Sequence, residues 1–176
     1  MAGATMEPQA EPLQLPPRET FRRILVVGCS ATKHPAAPNQ LVAAWDLYDG
    51  PAYRLMKALV RDGIFPGDVG VWILSAEHGL IKRLYRITTY NRLMDMRRAA
   101  DLAEPTRARL RHVLDRNDAR ELYVFAGKNY RHCLRLLSLH LERPQLKIGF
   151  ASGGFGVQLQ QLRTWLLAGG EPQLPL

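Results

Sequence analysis

The stretch VWILSAEHGLI, residues 71–81, ends an apolar run on three side chains that can take part in chemistry. Ser75 offers a hydroxyl, Glu77 a carboxylate, and the imidazole of His78 titrates near neutral pH. A carboxylate at a strand end can accept a proton from a substrate hydroxyl or orient a water molecule. In the competing structural interpretation, Glu77 caps the turn and His78 packs against it. We take Glu77 and His78 as candidate catalytic residues and Ser75 as a candidate binding residue.

A second polar segment, GCSATKH at residues 28–34, also follows an apolar run. Its Gly and Lys have the spacing of a phosphate-binding loop. The second glycine and the Ser or Thr after the lysine are missing, however, which argues against a Walker-type NTPase. We expect Cys29, Ser30 and Lys33 to bind substrate, with Lys33 reaching an anion. Cys29 can alternatively be a small buried apolar residue, because no neighbour in the sequence activates its thiol.

Two further segments place glycines and polar residues after apolar runs, namely AGKNY at 126–130 and SGGFGVQLQQL at 152–162. A lysine beside the start of a helix can bind an anion, and glycines let a backbone approach a ligand closely. The glycine-rich segment can also be only a flexible turn. The candidate binding residues in the two segments are Gly127, Lys128, Tyr130, Gly153, Gly154, Gly156 and Gln158.

The segment WDLYDGPAY, residues 45–53, adds an aromatic and an acidic candidate. Tyr48 can stack on a base, and Asp49 can hydrogen-bond a ribose or a base edge. Asp49 precedes Gly50 and Pro51, which suit the entry of a helix, so Asp49 can equally lie near the helix cap. We retain Tyr48 as a binding candidate and Asp49 as a catalytic candidate.

Alternating strand and helix patterns position these segments. Strands are predicted at 24–27, 70–76, 122–126 and 146–151, and helices at 51–61, 96–116, 130–141 and 157–167. Pro105 is expected to break the second helix into two. The alternation predicts an α/β fold, a single three-layer domain with a mainly parallel sheet of about four strands and helices on both faces. Sites in such folds gather at the carboxyl ends of the strands.

Composition divides the chain into three parts. Residues 1–20 are rich in Pro, Glu and Gln and show no periodicity, so we predict a disordered leader. Residues 21–168 are predicted to form the single α/β domain, and 169–176 a flexible tail. The start of the chain lacks a secretory signal, and no apolar run approaches the roughly 20 residues needed to span a bilayer. We therefore expect a cytoplasmic protein without a membrane partner.

The chain is basic, with 24 Lys and Arg against 16 Asp and Glu, a formal net charge of +8. Much of the excess lies in 82–116, which is rich in arginine. Such a segment can attract the phosphates of a nucleotide or nucleic acid, or can simply be a solvated helix face. The two cysteines, Cys29 and Cys133, do not have the spacing of metal ligands, so we expect no metal site, and we expect no cofactor.

Several segments occur in a characteristic order between about Ile24 and Leu167: GCSATK, LYDGPAYRLMKAL, WILSAEHGLI followed by the region of Tyr90, FAGKNYRHCL and GGFGVQLQQL. In this order they resemble a small uncharacterised α/β domain family of bacteria, archaea and phages. The resemblance adds Tyr90 to the binding candidates and implies distant kinship with nucleobase-handling domains of the glycosylase or base-exchange type. Family members often carry Lys at the position of Glu77, which makes His78 the better catalytic candidate.

Three hypotheses about function follow, and the third is a subunit or interaction module in which Ser75, Glu77 and His78 are only structural. In the first, the protein processes a nucleotide, a nucleoside or a nucleic-acid base, by hydrolysis or base exchange at the N-glycosidic bond. Glu77 or Asp49 would stabilise the oxocarbenium-like charge or orient water, and His78 would donate to the leaving base. Lys33, Lys128 and the glycine-loop amides would contact phosphate. In the second, the protein binds nucleic acid without catalysis through residues 82–116. The sequence leaves the oligomeric state open.

Overall fold

A computed structural model describes residues 20–169. The strands are β1 (Arg23–Gly28), β2 (Val42–Ala43), β3 (Val69–Ser75), β4 (Gly79–Lys82), β5 (Arg86–Ile87), β6 (Glu121–Phe125) and β7 (Lys147–Phe150). The helices are α1 (Ala44–Leu47), α2 (Pro51–Arg61), α3 (Met96–Asn117), α4 (Lys128–Leu134), α5 (Leu136–Glu142) and α6 (Phe155–Leu167).

The main sheet has the strand order β4-β3-β1-β6-β7. Strand β1 pairs in parallel with β3 and β6, and β6 pairs in parallel with β7, whereas β4 is antiparallel to β3. The predicted α/β class with a mainly parallel sheet is thus confirmed, although the sheet has five strands rather than about four. Strands β2 and β5 form a separate antiparallel pair that the sequence did not indicate.

The additional strand of the main sheet follows directly from the end of β3. Gly79 has a positive φ of 68°, a conformation that glycine adopts without steric cost, and it pairs with Ser75 across the turn. The chain then runs back along β3, where Leu80 and Ile81 are buried. A segment for which the sequence predicted neither a strand nor a helix therefore begins as an edge strand.

Helices cover both faces of the sheet because alternate strand residues point to opposite sides. On one face, Leu25 and Val27 pack in a core with residues of α1, α2 and α6. On the other face, Ile24 and Val26 pack with residues of α3, α4 and α5. This two-sided burial explains why the strands are continuously apolar rather than alternating.

Two helix predictions need correction. Pro105 does not break α3, which continues for 22 residues. Asp101, the residue whose carbonyl loses its partner, is exposed and can bond water, while buried residues before and after Pro105 anchor both halves of the helix. The predicted helix 130–141 is instead two helices, α4 and α5, because Arg135 between them adopts a left-handed conformation with φ 46°.

The predicted leader at 1–20 and tail at 169–176 lie, apart from residues 20 and 169, outside the described part of the chain. No helix between residues 20 and 169 combines the length and apolar character that crossing a bilayer requires.

Candidate functional site

The strand order creates a crevice at the carboxyl ends of β1 and β6. After β1 the chain continues to α2 on one face of the sheet, whereas after β6 it continues to α4 on the opposite face. Two neighbouring strands whose connections leave in opposite directions form the topological switch point at which open α/β sheets bind ligands. Cys29 follows β1 and Tyr130 follows β6, and Cys29 Sγ lies 3.1 Å from Tyr130 Oη. The two side chains meet across this crevice.

A chain of hydroxyl groups lies beside Cys29. The hydroxyls of Tyr48 and Tyr90 are 2.5 Å apart, and the Tyr90 hydroxyl is 2.8 Å from Ser75 Oγ. Tyr48 and Ser75 are completely buried, while Tyr90 is only partly buried. The chain thus connects the core of the protein to a partly accessible tyrosine. Tyr53, from α2, donates a hydrogen bond of 3.0 Å to the carbonyl of Gly28 and so stabilises the end of β1.

Ser75 owes its position to the end of β3. Its Oγ accepts hydrogen bonds from the backbone amides of Glu77, at 3.1 Å, and His78, at 3.0 Å. These bonds close the turn that Gly79 completes, so the serine both holds the turn and reaches Tyr90. The same oxygen atom of Ser75 therefore stabilises the turn and also belongs to the candidate site.

Burial keeps the tyrosines of this site neutral. Loss of solvent raises the pKa of Tyr48 to about 12, and it raises the pKa of Tyr90 and of Tyr130 well above the ordinary tyrosine value. Lys33 Nζ lies 4.8 Å from the centre of the Tyr90 ring and 5.9 Å from that of Tyr48. An ammonium group over an aromatic face is attracted by the ring quadrupole. The site thus presents neutral hydroxyls beside the ammonium group of Lys33.

Glu77 and His78 lie at the rim of this cluster. The Glu77 carboxylate accepts a 3.1 Å hydrogen bond from Arg92, and the His78 ring is edge-on to Tyr90 with the ring centres 5.4 Å apart. Desolvation lowers the pKa of His78, although the nearby Glu77 carboxylate opposes this shift. A lowered pKa leaves the imidazole neutral near pH 7, which favours proton acceptance over the donation that the sequence suggested.

Arg98 holds the same turn from the side of α3. Its guanidinium donates to the carbonyls of Ala76 and Glu77, both at 2.7 Å. The side chain of Asp95 caps the helix by accepting the amide hydrogen of Arg98. Sequence reasoning assigned Arg98 to the basic segment and missed this role, because nothing in the spacing of the arginines distinguishes one that binds backbone carbonyls from one that faces solvent.

Asp49 and Ser30 are occupied by local contacts. Both the Nε and the terminal nitrogen of Arg54 donate to one Asp49 carboxylate oxygen, and His34 Nε2 lies 3.3 Å from the other. The hydrogen bond from Arg54 is the main reason why the pKa of Asp49 is lowered. Ser30 Oγ accepts the amide hydrogen of Thr32. These contacts agree with a structural role for Asp49 at the entry of α2.

The remaining candidates follow β6 and the edge strand β7. Gly127 caps α4, and Lys128 is an exposed residue at the start of this seven-residue helix. The glycine loop, residues 153–156, follows the edge strand β7, and Gln158 donates to the carbonyl of Gly153 within the loop itself. Gly154 and Gly156 have open space on the side where a Cβ would stand. Within residues 20–169, no described hydrogen bond connects this loop to the hydroxyl chain.

Among the described residues, one cavity borders Arg92 and Arg98 at the rim of the cluster. Another, of about 280 Å³, lies away from the cluster and is bounded by Phe21, Trp45, Trp72, Lys82 and Arg83, next to the antiparallel edge of the sheet. The wall of this second cavity is mostly apolar, whereas the crevice gathers hydrogen-bonded hydroxyls, a thiol and an ammonium group. We therefore take the crevice, as an open and partly exposed site, to be the candidate functional site. In the described part of the chain, no three His, Cys, Asp or Glu side chains form a group suited to a metal.

The comparisons with known proteins agree with this fold. The chain is similar to the crystal structure of AF0587, a protein of unknown function, with a TM-score of 0.53 and 10% sequence identity. The match covers 87% of this chain and 47% of that one, so the chain spans about half the length of its structural relative. No curated protein matches the chain significantly. A model of a family of unknown function, DUF6884, matches residues 24–164, and the chain therefore belongs to that family.

Proposed function

We propose that the protein binds a nucleobase-containing ligand at the crevice between β1 and β6 and acts on its N-glycosidic bond. The observation that carries the proposal is the cluster in which Cys29 meets Tyr130 across the crevice while Tyr48, Tyr90 and Ser75 form a hydroxyl chain beside it. Aromatic faces and neutral hydroxyls are what a planar heterocycle with polar edges requires of its binding site.

The charges around the cluster suit the remainder of a nucleotide. Lys33 lies over the Tyr90 ring, and Lys128 is exposed at the start of α4 on the β6 side of the crevice. Either ammonium group can contact a phosphate without a metal. A negatively charged ligand would therefore be attracted to the same edge of the sheet that carries the hydroxyls.

The chemistry we propose is hydrolysis by water at the anomeric carbon. Water oxygen bonds to this carbon, the bond from the carbon to the base nitrogen breaks, and its electron pair leaves with the base. His78, neutral near pH 7, accepts the proton from water and passes it to the base nitrogen that the broken bond leaves behind. The carboxylate of Glu77, which Arg92 orients, stabilises the positive charge that develops on the sugar.

The test is to incubate the purified protein with nucleosides, nucleotides and single-stranded and double-stranded DNA and RNA and to measure the free base released. We expect release by the wild type and by His140→Ala, a control at an exposed histidine of α5, and no release by His78→Ala despite retained binding. Binding without release by the wild type would overturn the assigned chemistry. Absence of both release and binding would overturn the proposal as a whole.

The alternative, nucleic-acid binding without catalysis through residues 82–116, loses support from the contacts of the arginines. Arg92 pairs with Glu77, Arg98 binds backbone carbonyls, and Arg107 and Arg111 pair with Glu142. These partners reduce the charge available to phosphates. The alternative predicts binding that weakens steeply with salt and is lost in Arg97→Glu but unchanged in His78→Ala.

A further inference from the structure

The hydroxyl chain contains one more proton than its internal hydrogen bonds use. Ser75 Oγ accepts two backbone amide hydrogens, from Glu77 and His78, and these fill both of its lone pairs. Its own hydroxyl must therefore donate, and its hydrogen-bond partner at 2.8 Å is the hydroxyl of Tyr90. The direction of this first bond, from Ser75 to Tyr90, is fixed by the count of lone pairs.

The second bond, between Tyr90 and Tyr48, has a preferred direction because the two tyrosines differ in burial. Tyr48 is completely buried, and its hydroxyl is bonded to that of Tyr90 at 2.5 Å. Ser75 Oγ also lies near Tyr48, but its lone pairs are already filled. If Tyr90 donated, the proton of Tyr48 would have no acceptor among the described residues and would be buried unpaired, which is costly. Tyr48 therefore donates to Tyr90.

Tyr90 then accepts from both Ser75 and Tyr48 and retains its own proton for an outside acceptor. Tyr90 is only partly buried, so the spare proton is at the accessible end of the chain. A second donor lies beside it, since Lys33 Nζ is 4.8 Å from the centre of the Tyr90 ring and makes no hydrogen bond within the described structure. Because neither group can offer a lone pair, this end of the hydroxyl chain is complementary to an acceptor.

We infer that the site prefers a nucleobase with a carbonyl on its recognised edge, an oxo base, over the corresponding amino base. This inference rests on the proposed function, because it assigns the chemical class of the base that the crevice binds. A carbonyl oxygen accepts hydrogen bonds from Tyr90 and Lys33. An exocyclic amino group is itself a donor and would form no hydrogen bond with either of them. Sites built to hydrogen-bond one edge discriminate against the other edge, because the mismatch leaves their donors unpaired in the complex.

The experiment measures dissociation constants by calorimetry for two pairs that differ in this group, inosine against adenosine and uridine against cytidine. We expect the wild type to bind the oxo member of each pair about tenfold more tightly or better. Tyr90→Phe should reduce this preference to less than about threefold, because the spare proton is lost. Tyr85→Phe is the matched control, since Tyr85 is exposed and outside the cluster, and it should keep the preference.

The outcomes separate the inference from the proposed function. Equal binding of both members, preference for the amino member, or a preference that survives Tyr90→Phe would overturn the inference while leaving nucleobase binding intact. Binding of no member of either pair, and of no corresponding nucleotide, would overturn the proposed function and the inference together. A thermal melt of Tyr90→Phe with unchanged cooperativity shows that any loss of preference comes from the hydroxyl and not from unfolding.

Discussion

The turn after β3 depends on the single oxygen of Ser75, and Ser75→Ala is the substitution that tests this dependence. The residue is completely buried, and its Oγ accepts the amide hydrogens of Glu77 and His78. Alanine removes the acceptor while preserving the backbone. Two backbone donors then lose their partner, and each buried donor left unpaired costs about 1–3 kcal/mol.

Some solvent reaches this turn, so the penalty per donor is expected near the lower end of that range. We expect Ser75→Ala to lower the free energy of unfolding by about 2–4 kcal/mol. For a chain of this length, about 1 kcal/mol corresponds to a change in melting temperature of about 2–4 °C. A loss of about 3 kcal/mol therefore predicts a decrease of roughly 6–12 °C.

The assay is equilibrium unfolding in urea followed by the fluorescence of the three tryptophans, with calorimetry for the melting temperature. Ser152→Ala is the matched control, because Ser152 is exposed, and this change should shift stability by less than about 0.5 kcal/mol. If Ser75→Ala is no less stable than Ser152→Ala, the serine does not hold the turn and our description of the end of β3 is wrong.

Two further predictions concern the same turn. Arg98→Ala should lower the free energy of unfolding by about 2 kcal/mol, because two charge-assisted hydrogen bonds to backbone carbonyls are lost, whereas Arg97→Ala, at an exposed neighbour, should be neutral in urea unfolding. The pKa of His78 is lower in the folded protein than its ordinary value of 6.5, so the stability it contributes is present above pH 6.5 and is lost as the pH falls through the folded pKa. Urea unfolding between pH 8 and pH 5 should show a larger loss for the wild type than for His78→Gln, and equal losses would contradict this.

The parallel core of the fold was predictable because each of its strands is a short, continuous apolar run. β1, β3 and β6 are buried on both faces, which produces this pattern, whereas the edge strand β7 is only partly buried. β4 was missed because it has only four residues and begins with a glycine, so it carries too little pattern to separate it from a turn. At Pro105 the sequence predicted a break in α3 that the structure does not have. Buried residues on both sides of Pro105 pack in the core, and this packing outweighs the local preference for a break.

The site was predictable in part for a related reason. Cys29 and Tyr130 follow parallel strands that lie side by side, so their proximity follows from topology. The contact between Tyr48 and Tyr90 does not, because it joins residues 42 positions apart in two irregular connections. Only the path of those connections brings the hydroxyls together. Likewise, the alternation of strands and helices does not predict the order of the strands in the sheet. It therefore could not show that the glycine loop follows an edge strand two positions away from β1.

Binding of a nucleobase-containing ligand in the crevice between β1 and β6 can be measured by titrating the ¹⁵N-labelled protein with inosine and following the chemical shifts of the backbone amides. We expect shift changes concentrated at residues 29–33, 76–78, 90 and 127–130. Changes confined to the cavity between Trp45 and Trp72 or to the glycine loop, or no change at all, would contradict this expectation.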